Sequence, residues 1–203
     1  MIDVVIRQSA SLLLRYPGPE WPETHRLVLD VAGAFPDKRC TSLLRFCADV
    51  AAVAPLDLEA RYVATFDRSP RRTLQMTYYT DGDTRRRGAS MARMKGEYRR
   101  RGWEPPDDQL PDFLPVMLEF AARCPEPGER LLAGHRSGLE LLRLALQDHR
   151  SPYAHVLEAV CGTLPGPSVH DRRAALELAR TGPPTEAVGL DGYGGPTPLG
   201  GRR

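Results

Sequence analysis

Along the first 164 residues, apolar side chains recur three and four positions apart, and most of these runs are bounded by proline. That combination leaves room for little but short helices. The 3.6-residue period gathers one stripe on a helix face, and the locked φ and missing N–H of proline set where the helix starts or stops. Val5, Leu12, Leu13 and Tyr16 form the first set and stop at Pro17-Gly18-Pro19. Leu27, Val28, Val31, Ala34 and Phe35 form the second, closed by Pro36, and Leu43, Leu44, Phe46, Cys47, Val50 and Ala54 the third, closed by Pro55. Residues 56–67 give a fourth, with Tyr62, Val63 and Phe66 on one side. Residues 73–80 carry Tyr78, Tyr79 and three threonines, which suit a strand locally, but a lone strand would leave its backbone unpaired, so helix is favoured.

Asp81-Gly82-Asp83 reads as a turn, with Asp83 placed to cap a fifth helix that carries Met91, Met94 and Tyr98 inward and ends at Gly102. A sixth covers residues 111–123, with Pro111 in its first turn and two adjacent apolar stripes: Phe113, Met117 and Phe120 beside Leu114, Leu118 and Ala121. A seventh spans residues 129–149, and an eighth follows Ser151-Pro152 with Tyr153, Val156, Leu157, Val160 and Leu164. The expectation is an all-α, single-domain bundle of about eight helices over residues 1–164, followed by a flexible glycine- and proline-rich tail over residues 165–203.

With 41% apolar and 27% charged residues, the composition is that of a globular chain. Cys40, Cys47, Cys124 and Cys161 have no metal-type spacing and read as buried thiols of a reducing compartment. The start of the chain lacks a secretory pattern, and no run approaches the ~20 apolar residues of a membrane span, so a cytoplasmic protein without membrane insertion is expected. The five histidines form no H-E-x-x-H, and neither a P-loop nor a nucleophile elbow appears, so neither an enzyme nor a cofactor or metal site is expected.

The net charge of +2 hides a strong asymmetry. Residues 85–101 hold eight basic side chains against Glu97, and residues 104–129 hold seven acids against Arg123. The basic face over residues 85–101 supports an alternative reading, a helical nucleic-acid-binding protein. The acidic neighbour counts against it, because it would repel phosphates, as does the lack of a helix-turn-helix or RNA-binding signature.

Three blocks stand in a telling order: Tyr62-Val63 through Phe66-Asp67, then Gly82-Asp83-Thr84-Arg85-Arg86-Arg87-Gly88, then Leu110-Pro111-Asp112-Phe113-Leu114-Pro115 with Leu118-Glu119-Phe120. Together with Ser151-Pro152-Tyr153 and, more weakly, Leu12-Leu13-Leu14 and Tyr16-Pro17, they resemble the nitrate reductase delta-subunit family of assembly chaperones, kin to the wider redox-enzyme maturation chaperones. The similarity covers most of residues 10–164. It implies a helical bundle that binds the apo molybdenum subunit of a respiratory nitrate reductase, chiefly by its N-terminal peptide. It further implies molybdenum cofactor insertion before membrane docking, with cofactor-biosynthesis proteins as further partners. Relatives often have a histidine after the Pro-Asp pair where this chain has Phe113, so no role of that histidine carries over.

Within that resemblance, Asp112 and Glu119, seven apart on one helix face, are expected to present negative charge to a basic client peptide. Leu114, Pro115, Leu118 and Phe120 would wall an apolar groove, and Tyr62 and Phe66 serve the core or its lining. The structural alternative for Pro111-Asp112 is a favourable first turn on the helix dipole. Arg85 and Arg87 are expected to pair with acids such as Asp67 or Asp112, and Gly82 and Gly88 to serve a turn and a close helix approach.

Overall fold

The computed structural model describes residues 1–166 together with Arg180, Gly182 and Pro184. The expected tail otherwise lies outside the described residues. These residues form α1 (Ile2–Leu13), α2 (Trp21–Gly33), α3 (Lys38–Val50), α4 (Pro55–Phe66) and a 3₁₀ turn (Pro70–Arg72). There follow α5 (Met76–Asp81), α6 (Arg85–Arg100), α7 (Leu114–Arg123), α8 (Pro125–Gly134), α9 (Arg136–Asp148) and α10 (Tyr153–Cys161). The all-α, single-domain reading therefore holds.

Proline opens several of these helices, as at Pro22, Pro55, Pro115 and Pro125 in the first turns of α2, α4, α7 and α8, where its absent N–H costs nothing. Helix α3 is instead capped by the Asp37 carboxylate, which accepts from Arg39 N–H at 2.7 Å. At the centre lies α7, whose Leu114, Val116, Met117, Leu118, Phe120 and Ala121 are wholly buried. It packs between α1 and α8, while α10 packs on α3, α9 and α1. An aromatic cluster of Tyr62, Phe66, Phe46 and Tyr153 ties α4 to α3 and α10, with ring centroids 4.8 to 6.0 Å apart.

Among the described residues, ten helices stand where eight are expected, for two local reasons. Residues 73–80 do contain a helix, α5, and the seventh is cut at His135, whose φ of −106° and ψ of 16° leave the helical region. Asp83 stands one residue too early to cap α6, where Thr84 is the N-cap residue. On α2, Val28 and Ala32 face the core while Leu27 points outward, 52% exposed, so the inward stripe is narrower than five residues. The sixth helix starts at Leu114 and not at Pro111, because residues 110–113 form a turn, closed by Phe113 N–H donating to the Leu110 carbonyl at 3.1 Å, and Phe113 itself is extended. Gln75 and Phe113 form an antiparallel bridge, with Met76 N–H donating to the Asp112 carbonyl at 2.9 Å and Leu114 N–H to that of Leu74 at 2.8 Å.

Gly88 makes no close helix approach, since it is exposed and a Cβ there would meet nothing within 4 Å. The glycine that does is Gly128, where a Cβ would fall 2.2 Å from Ala121 Cα across the α7–α8 contact. Gly82 keeps its turn role at φ +62°, and the Pro184 backbone lies against it. Gly128→Ala is expected to lower stability by about 1–3 kcal/mol through overpacking. Gly88→Ala should raise it by about 0.5–1 kcal/mol. Urea unfolding of the two variants checks both signs.

Candidate functional site

The stretch between α4 and α5, whose 3₁₀ turn packs on α9 and α4, lines a cleft of about 570 Å³. Its walls are Phe66, Asp67, Arg68, Ser69 and Pro70 on one side and Thr73, Gln75, Tyr78, Asp83 and Arg87 on the other. The wall has the position it does because Leu74 and Met76 are fastened to the Asp112 and Leu114 backbones behind it. Tyr79 braces the same turn by donating from its hydroxyl to the carbonyls of Arg71 and Thr73, each at 3.1 Å.

Behind the cleft lies a buried polar knot. Asp112 is 0% exposed; its Oδ2 accepts from the Thr77 hydroxyl in a short contact and from Arg87 Nη2 at 3.3 Å. Arg87 also donates from Nη2 to Gln75 Oε1 at 2.7 Å and from Nε to Thr77 Oγ1 at 3.2 Å. Asp112 Oδ1 and His135 Nδ1 are buried without a hydrogen-bonding partner among the described residues. Burial pulls the His135 imidazole below its ordinary range, opposed by the nearby Asp112 and Asp81 carboxylates. Burial likewise pushes the Tyr98 phenol up, with Asp112 adding to the shift, and that phenol donates to the Pro111 carbonyl at 2.7 Å.

These positions redraw the expected site. Asp112 lies off the helix, sealed from solvent, so it shares no exposed face with Glu119. Glu119 is itself engaged by Arg15 at 2.8 Å and Arg123 at 2.9 Å. Leu114, Pro115, Leu118 and Phe120 are packed inside the bundle instead of walling an open groove. Tyr62 is core, donating from its hydroxyl to the Leu14 carbonyl at 3.0 Å. Phe66, Asp67, Asp83 and Arg87 do come together, around the cleft, while Gly82 closes α5 and the Pro111 carbonyl is taken up by the Tyr98 hydroxyl. Arg85 is exposed at the start of α6.

Gln75, Thr77, Tyr78 and His135 went unread in the sequence. The only signal for the first three was the threonine- and tyrosine-rich ambiguity of residues 73–80, and His135 gave none. Of the basic face, Arg99 pairs with Glu104 at 2.6 Å, and Arg100 and Arg101 with Glu97 at 2.5 and 3.7 Å, which removes much of its free charge. Cys40, Cys47 and Cys161 are buried, Cys124 partly so, and burial raises the Cys47 and Cys161 thiols to about 11 and about 12. Among the described residues no cluster of His, Cys, Asp and Glu is placed to hold a metal, and no helix is long and apolar enough to cross a membrane.

Residues 35–159, which include every residue of the cleft, match the nitrate reductase delta subunit family. The chain is 44% identical over 161 residues to the nitrate reductase-like protein NarX of Mycobacterium tuberculosis, in a match covering 78% of this chain and 24% of that protein. It thus spans about a quarter of NarX. It is 31% identical over 161 residues to the probable nitrate reductase molybdenum cofactor assembly chaperone NarJ of Bacillus subtilis, covering 77% of this chain and 86% of the relative. The Escherichia coli chaperone NarJ is 31% identical over 158 residues, with 76% and 66% covered.

A histidine held below its ordinary value of 6.5 binds protons more readily once the chain unfolds. Stability contributed by neutral His135 is therefore present above that value and is lost as pH falls through 6.5 toward the lowered folded value. Thermal unfolding between about pH 7 and about pH 5 should show a shallower acid loss in His135→Gln than in the unaltered protein.

Proposed function

Because the chain belongs to the nitrate reductase delta subunit family, we propose that it is an assembly chaperone for a molybdenum-dependent nitrate reductase. It holds the apo catalytic subunit in the cytoplasm, chiefly by that subunit's N-terminal segment, while the molybdenum cofactor is inserted and before the enzyme docks at the membrane. Cofactor-biosynthesis proteins meet the complex at that stage, and the chaperone performs no turnover of its own.

The observation that carries the proposal is the match over residues 35–159, which runs from α3 into α10 and takes in the whole wall of the cleft. The cleft's character agrees with a polypeptide occupant. It is polar and open, its acids Asp67 and Asp83 face solvent, and Phe66, Pro70 and Tyr78 supply apolar contact. A segment that orders on binding gives up roughly 2 to 5 kcal/mol, so hydrogen bonds and packing along the cleft must together exceed that cost. Exposed ion pairs at the rim add only about 0 to 1 kcal/mol each and serve orientation.

Calorimetric titration with a synthetic peptide copying the N-terminal segment of the cell's own nitrate reductase catalytic subunit is expected to give saturable one-to-one binding. Amide protection should rise in residues 66–87, around the cleft. No heat with that peptide, together with co-purification of an unrelated oxidoreductase from the native cell, would remove the assignment.

A further inference from the structure

We propose that the inner wall of the cleft is a built receptor for an uncharged main-chain carbonyl of the client, with Arg87 as the donor and Asp112 as the residue that positions and neutralises it. This deepens the chaperone reading and rests on it.

The guanidinium of Arg87 is locked along one edge. Its Nε is committed to Thr77 Oγ1, and its Nη2 to Gln75 Oε1 and Asp112 Oδ2. None of these three bonds uses Nη1, and Arg87 lines the cleft with 18% of its side chain exposed. A planar fork held on one edge keeps its remaining N–H groups in a fixed direction, so little rotamer entropy is lost when they find an acceptor.

Charge decides which acceptor. Asp112, sealed from solvent directly behind Arg87, cancels the cation it holds. The other ionic groups of the wall are Asp67, Arg68 and Asp83, so the cleft together with Asp112 is formally negative by one. A client carboxylate or phosphate would meet that excess negative charge. A carbonyl oxygen takes the hydrogen bond without an electrostatic penalty, and every polypeptide carries carbonyls unpaired at helix ends or in extended segments. The exposed acids Asp67 and Asp83 then favour a carbonyl flanked by a cationic side chain.

The burial of Asp112 points the same way. One of its oxygens has no partner among the described residues, a cost seldom carried for packing alone. Asparagine would fill the same space and bury no charge. The carboxylate is required where a guanidinium in front of it must be both held and neutralised.

The test is calorimetry with the full chain and the synthetic client N-terminal peptide, against a series of the same peptide with single backbone amide-to-ester replacements, which weaken one carbonyl at a time. In the unaltered protein one ester position is expected to weaken binding about tenfold. In Arg87→Lys, which keeps the charge and loses the fork, the parent peptide should bind about tenfold more weakly and that ester should cost nothing further. Asp112→Asn frees the cation, so its binding should become salt-dependent and should turn toward a peptide carrying glutamate at the coupled position. Arg87→Lys binding as tightly as the unaltered protein, or no ester position coupled to Arg87, overturns the carbonyl receptor while leaving the chaperone reading intact. Failure of the unaltered protein to bind the parent peptide overturns the carbonyl receptor, and if an unrelated oxidoreductase also co-purifies from the native cell the chaperone reading falls with it. Should Asp112→Asn not fold, the Arg87→Lys cycle decides alone.

Discussion

Two main-chain hydrogen bonds, from Met76 N–H to the Asp112 carbonyl and from Leu114 N–H to the Leu74 carbonyl, decide where everything functional sits. They join loops nearly forty residues apart in sequence and pair Gln75 with Phe113, both extended, where the other described elements are helices. With Pro111 and Asp112 held in the turn before Phe113, Asp112 cannot ride on α7. It turns inward against Thr77 and Arg87, and α6 is drawn over it by that contact. The stretch between α4 and α5 is held by the same anchorage and by its packing on α9, and the cleft lies beside it.

The helices were largely legible in sequence because helix periodicity is a local property. Cys40, Leu43, Phe46, Cys47 and Val50 line up on α3, and Tyr153, Val156, Leu157 and Val160 on α10, as their spacing requires. What escaped was non-local. Nothing in Leu110-Pro111-Asp112-Phe113 says that its backbone will find Leu74 and Met76, so proline followed by an acid looked like a helix start. Gly88 and Gly128 are indistinguishable as letters, and only the Ala121 backbone across an interface separates the one that must be glycine from the one that need not be. Of the site, Arg87 could be matched with an acid and Phe66 placed beside the cleft. Two adjacent stripes implied burial over a wide arc of α7, as Leu114, Leu118 and Phe120 show, but a client groove on that helix did not follow from them, and the burial of Asp112 had no local signal.

Electrostatics follow a division by depth. The exposed pairs along α6 and α8, such as Arg100 with Glu97 and Arg130 with Glu126, are three or four residues apart, screened by solvent and individually weak. Of the pairs described, Arg99 with Glu104 and Arg87 with Asp112 join the basic segment 85–101 to the acidic segment 104–129. The guanidinium groups of Arg7, which is buried, and of Arg87, which is partly so, are different. Each donates to acceptors on other segments, so each ties segments that periodicity alone would leave free to shift.

Arg7 carries this furthest. Its side chain, 1% exposed, reaches Thr163 at a separation of 156 residues and Glu129 at 122, while α1 packs on α7 and α10. The first helix described therefore has no complete set of neighbours until the turn after α10 has been made, although α2 and α3 already lie against it. Burying Arg7 thus ties the completion of one end of the bundle to the formation of the other, and a chain cut short of Thr163 would leave a guanidinium sealed away from the acceptors that make its burial tolerable.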